Sequence, residues 1–147
     1  MSIRGADPQV VIVEGDASGF AQTITAGDHK FSADESLGVG GAGTGPDPYQ
    51  FLLAALGACT SMTVALYARR KQWPLARVRI QLAHSRVWAQ DCETCETQQP
   101  RLDRIELVIE FFGDLTNDQR QRLTEIAERC PIHRTLTSKI DIMTKLV

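Results

Sequence analysis

A chain of 147 residues is the size of one domain, and a composition of 43% hydrophobic and 23% charged residues is that of a globular protein, which excludes disordered and fibrous classes. The formal net charge is −2 and basic residues cluster only briefly, at Arg69, Arg70 and Lys71, so there is no electrostatic footprint for a nucleic acid or an anionic membrane. Without a secretory leader pattern, a cytoplasmic protein is expected, and its four cysteines read as thiols rather than a disulfide framework.

Residues 1–147 read as a single domain. Residues 9–14 (QVVIVE), 20–25 (FAQTIT) and 29–33 (HKFSA) are short runs separated by Gly15, Gly19 and Gly27-Asp28, the pattern of an antiparallel meander. From Asp34 to Pro46 the chain carries five glycines and reads as a flexible surface loop, without the Lys-Ser/Thr of a phosphate loop. Asp47 as N-cap and Pro48 at the first helical position announce a helix to about Lys71, where basic residues meet the negative end of the macrodipole and Pro74 bars continuation. Phe51, Ala55, Ala58, Cys59, Met62 and Leu66 share one face. Leu52, Leu53, Leu56 and Val64 make the rest apolar too, so a helix buried nearly all round is expected.

Val78, Ile80 and Leu82, and later Ile105, Leu107, Ile109 and Phe111, alternate with polar residues as strands with one dry face. Between them, residues 90–101 form a polar excursion. Thr116 and Gln119 stand in capping-box spacing before Leu123, Ile126, Ala127 and Cys130, a helix expected to stop at Cys130 because Pro131 follows. Ile140, Ile142, Thr144 and Leu146 read as a closing strand.

Four cysteines and three histidines are the residues that could carry chemistry. Cys59, mid-helix in ALGACTSMT, is either a buried small hydrophobe or a sulfur that small neighbours leave open to close approach. Cys130 stands at an element boundary, and His133 beside it either pairs with a thiolate or caps the helix end. Cys92 and Cys95 form a CxxC with no matching second pair for zinc and no strand-to-helix context for a thioredoxin-like dithiol, so they read as auxiliary thiols and no metal is expected. His84 continues the dry face of Val78, Ile80 and Leu82 at the strand's end, as a satisfied core histidine or one aimed at a ligand.

The stretch GPDPYQFLLAALGACTSMT, a strand pair, and a helix ending in CPIHRTL resemble the OsmC/organic hydroperoxide resistance family over nearly the whole chain. The specific part is two cysteines 71 residues apart, one inside the long helix and one before a Pro. The resemblance implies an α+β fold with antiparallel sheets packed around a long central helix, in an intertwined homodimer with active sites at the subunit interface. It further implies a cofactor-free cysteine peroxidase of oxidative stress defence. Cys59 would attack an organic hydroperoxide, Cys130 would resolve the sulfenic acid as a disulfide, and a lipoyl or thioredoxin-type dithiol would reduce it.

The family's peroxidases place a Glu directly after the Pro, where it holds an Arg from the N-terminal hairpin. Here Tyr49 stands at that position, followed by Gln50, and no Arg lies between Gly5 and Cys59. The chain therefore looks closer to an OsmC-like branch that lacks the pair and carries a DC-x-x-C loop, and activation falls to His29, His84 or Tyr49. Two other readings use the same residues: a non-catalytic protein binding a small hydrophobic ligand in an apolar groove, and a redox or metal module at Cys92 and Cys95.

Overall fold

β-Branched runs and short turns build the N-terminal strands as the runs and their glycine breaks predict. In the computed structural model, which describes residues 9–88 and 101–147, β1 (Val11–Gly15), β2 (Gln22–Ala26) and β3 (His29–Ala33) form an antiparallel sheet in that order. Ala26 pairs with His29 across a two-residue turn whose first residue, Gly27, has φ +61°, as type II′ hairpins require.

The glycine-rich segment after β3 is ordered, contrary to the expectation of a flexible loop. Asp34, only 3% exposed, organises it. One carboxylate oxygen accepts from the Glu35 amide at 2.8 Å, and the other accepts from the amides of Ala42 (3.2 Å) and Thr44 (3.1 Å) and the Thr44 hydroxyl (2.8 Å). A 3₁₀ turn spans Leu37–Val39. Gly41 and Gly45 lie so close to the backbones of Glu35 and Ser32 that a Cβ would collide, so these glycines serve close approach rather than mobility.

Helix α1 spans Pro48–Lys71. Asp47 and Gln50 cap it reciprocally: the Gln50 amide donates to Asp47 Oδ1 and the Asp47 amide to Gln50 Oε1, each at 2.9 Å. Its C-terminus closes as a Schellman turn, with Trp73 N–H on the Ala68 carbonyl (2.9 Å), Gln72 N–H on the Arg69 carbonyl (3.1 Å), and Gln72 at φ +56°.

The long strands β4 (Leu75–Trp88) and β5 (Arg101–Gly113) pair antiparallel, with Val78 opposite Phe111, Ile80 opposite Ile109, Leu82 opposite Leu107 and His84 opposite Ile105. β4 continues four residues past His84. α2 (Asn117–Ala127) starts at the expected Thr116–Gln119 capping box. It ends before Cys130, which is instead the N-cap of a further helix, α3 (Pro131–Leu136). Pro131 opens a helix because its fixed φ and missing N–H suit the first helical position.

By their packing, the described residues up to Leu52 together with Ile142–Val147 form one unit, and Leu53–Asp141 a second. The core of the second unit gathers Val64 and Ala68 of α1 with Leu115, Leu123 and Ala127, flanked by Trp73, Val78, Ile109 and Phe111. Two expectations are corrected here. The buried stripe of α1 is Leu56, Thr60, Val64 and Ala68, whereas Met62 is 70% and Leu66 42% exposed, so one apolar face of the helix is open within the chain. The closing strand is absent: residues 139–147 take no regular structure and Ile142 is 84% exposed, because alternation makes a strand only where a sheet edge pairs with it.

Candidate functional site

α1 approaches the β4–β5 ribbon closely because Gly57 has no side chain; a Cβ there would stand 2.7 Å from Leu82 Cδ1. Three residues further along, Thr60 is fully buried, and so is Cys130. The Thr60 hydroxyl lies 2.8 Å from the Leu56 carbonyl and 3.4 Å from Cys130 Sγ. The same sulfur accepts the His133 backbone N–H at 3.2 Å, the N-cap bond of α3. Cys130 Sγ is therefore held against the residue that directly follows Cys59. Cys59 is half-buried, and neither sulfur is joined in a disulfide.

His133 meets the sulfur through its amide. His133 also helps line a cleft of about 200 Å³ with Leu56, Asp103, Ile105, Leu107, Leu136 and Thr137. His84 lies on the dry face as expected, its ring 2.8 Å from Asp103 Oδ1, the oxygen that Arg86 Nε also reaches at 3.3 Å. The His84 hydrogen bond, and then Arg86, hold the Asp103 carboxyl below the usual carboxylate range. His84 is thus oriented by a carboxylate at the polar end of an otherwise apolar face.

The remaining expected residues lie in the first unit or outside the described residues. Tyr49 is half-exposed in the first turn of α1, and Gln50 is committed to the cap. His29 is exposed on β3. Cys92 and Cys95 lie outside the described residues. Among the described residues, no three His, Cys, Asp or Glu side chains gather as a metal site.

The family model of the OsmC-like proteins matches residues 41–145, which include α1, the segments around Cys59 and Cys130 and the β4–β5 pair. The chain belongs to the OsmC-like family. Solved structures agree on the fold of this OsmC-like chain. An OsmC-like protein from Mycoplasma pneumoniae superposes with a TM-score of 0.70 at 18% identity, over 90% of this chain and 89% of the other. An organic hydroperoxide resistance protein OsmC from Legionella pneumophila gives 0.65 at 19% identity, over 94% and 95%. The organic hydroperoxide resistance protein OhrB of Bacillus subtilis gives 0.62 at 21% identity, over 93% and 96%. No curated protein sequence matches significantly.

Sequence reasoning missed Thr60, Asp103 and Asp34. Thr60 carried a usable signal: it stands four residues after Leu56 and four before Val64, a polar residue on an apolar stripe beside a cysteine. Asp103 and Asp34 are polar residues at strand ends with no spacing to single them out.

Proposed function

We propose that this OsmC-like protein reduces organic hydroperoxides with the thiols of Cys59 and Cys130. The Cys59 thiolate attacks the distal oxygen, the O–O bond breaks, and an alcohol leaves with a proton as Cys59 becomes a sulfenic acid. Cys130 condenses with it, releasing water and forming a disulfide, which a dithiol reopens by exchange through a mixed disulfide. The observation that carries this reading is the Cys130 sulfur buried against Thr60, on the helical turn that bears Cys59. The apolar flank of α1 favours a hydrocarbon substituent over hydrogen peroxide. His84, held by Asp103 and in the same unit as Cys59, is the group that takes over from the Arg and Glu of the family's peroxidases.

The proposal includes a cytoplasmic location and a homodimer, the dimer being supported by the open apolar face of α1 at Met62 and Leu66 and by the exposed Ile142, Met143 and Leu146 of the C-terminal segment. Light scattering should give twice the chain mass; a monomer refutes this part. The reaction is tested by mixing reduced protein with equimolar cumene hydroperoxide and mapping cysteine linkages by peptide mass spectrometry, with Cys59→Ser as control. A rapid, peroxide-dependent Cys59–Cys130 linkage is expected. If both thiols stay reduced while peroxide persists, the reading fails. The cleft beside His133 would then favour the second reading, a binding protein for a small apolar ligand, for which thermal stabilisation by that ligand should survive Cys59→Ser.

A further inference from the structure

The single proton of the Thr60 hydroxyl has two acceptors within reach, the Leu56 carbonyl at 2.8 Å and Cys130 Sγ at 3.4 Å. The carbonyl does not depend on it, because in an α-helix it already accepts the Thr60 amide, and a hydroxyl bonded back to that position is a common resting place for threonine. The sulfur's position is different. It is fully buried, and its other hydrogen bond comes from the His133 amide at 3.2 Å. A thiol is a weak acceptor and tolerates this, but a thiolate removed from water needs donors directed at it.

We propose that Thr60 is a hydrogen-bond donor to the reacting sulfur of Cys130: as negative charge develops there, the hydroxyl turns from the Leu56 carbonyl to Sγ, so that the thiolate is held by two donors, Thr60 Oγ1 and His133 N. The inference rests on the peroxidase reading and concerns its second step. In that step Cys130 gives up its proton and its sulfur attacks the sulfenic sulfur of Cys59. The S–O bond breaks, the hydroxide takes up the proton and leaves as water, and the S–S bond forms. One thiol sulfur is oxidised and the sulfenic sulfur is reduced. When a dithiol reductant later attacks Cys59, Cys130 leaves as the thiolate into the same two donors.

Thr60→Val keeps the branched shape and removes the hydroxyl; Thr60→Ser keeps the hydroxyl. Each variant and the wild type, fully reduced, is mixed with cumene hydroperoxide. First-turnover peroxide loss reports sulfenic acid formation, and intact mass after acid quench reports disulfide closure. Closure should slow about tenfold in Thr60→Val, the difference between a hydrogen bond to a charged and to a neutral group, and recover in Thr60→Ser, while peroxide loss changes far less. If Thr60→Val fails to fold, Thr60→Ala, which suits a helix, carries the same expectation. Closure as fast as wild type in the hydroxyl-free variant, or as slow in Thr60→Ser, overturns the role of Thr60 and leaves the peroxidase reading standing. A wild type that neither consumes peroxide nor forms the Cys59–Cys130 disulfide overturns both.

Discussion

Replacing each thiol by alanine should separate the two cysteines by stability alone, before any chemistry is measured. Cys130→Ala removes a fully buried sulfur and the acceptor of the His133 amide at the start of α3. Loss of an N-cap acceptor costs about 1 kcal/mol, and deleting a buried atom of this size costs about 1 kcal/mol more in transfer and cavity terms. The Thr60 hydroxyl adds nothing to the cost, because it keeps the Leu56 carbonyl as a partner. The total of about 2 kcal/mol corresponds to a melting point lower by about 6 °C for a chain of this size. Cys59→Ala loses only a half-buried sulfur, and alanine returns about 0.6 kcal/mol of helix propensity in the middle of α1. Its melting point should stay within about 2 °C of wild type. Calorimetry of both reduced variants at one fixed protein concentration decides the matter. A Cys130→Ala protein that melts with the wild type would refute the role of Cys130 as a structural cap, and a Cys59→Ala protein that falls as far would refute the contrast drawn between the two thiols.

Two further outcomes follow from local geometry. Gln72 holds a left-handed conformation at φ +56° in the Schellman turn of α1, so Gln72→Gly should stabilise by about 0.5–1 kcal/mol in urea titration; a destabilised variant would show that the side chain matters more than the backbone. The Asp34 carboxyl is held below the usual carboxylate range, first by the Thr44 hydroxyl and then by the Thr44 amide. A lowered folded value means that its contribution is complete above the unfolded pKa of about 3.9 and is lost as pH falls through the folded value. Asp34→Asn should therefore be less stable than wild type at pH 7, with a gap that narrows below about pH 4. Asp103, shifted the same way, acts equally in both proteins and cancels. A gap independent of pH would contradict the role given to the carboxylate.

Where an element's signal is local, the sequence showed it. The Asp47-Pro48 start of α1, the Thr116–Gln119 capping box and the alternation of β4 and β5 all appear where their residues placed them. The errors arise where tertiary context decides. The alternation of residues 140–146 is that of a strand, yet no edge in the described chain pairs with it. α1 is apolar on two faces, and periodicity alone could not say which one the chain covers; the ribbon and α2 take the stripe of Thr60 and leave Met62 open. The order of the glycine-rich segment depends on one buried carboxylate reaching residues eight and ten positions ahead, a pairing invisible to local pattern.

Cys130 is the residue on which local grammar and the proposed function converge. The same reasoning that made Asp47 a cap because Pro48 follows it applies to Cys130 before Pro131, yet in a sequence read from the N-terminal side Pro131 looks like the end of α2. The structure has both a stop and a start there: α2 closes at Ala127, and after Glu128 and Arg129 the chain turns so that Cys130 caps α3. A serine or aspartate would cap more strongly. The sulfur at this position has a second consequence that neither would provide, for the amide it caps is also a donor directed at a buried, oxidisable sulfur beside Thr60. If Cys130 were retained for capping alone, Cys130→Ser would leave the protein intact and nothing would be lost on exposure to hydroperoxide. On the reading argued above, that variant folds but leaves Cys59 as an unresolved sulfenic acid, open to further oxidation and detectable as a mass gain of one oxygen in place of a disulfide.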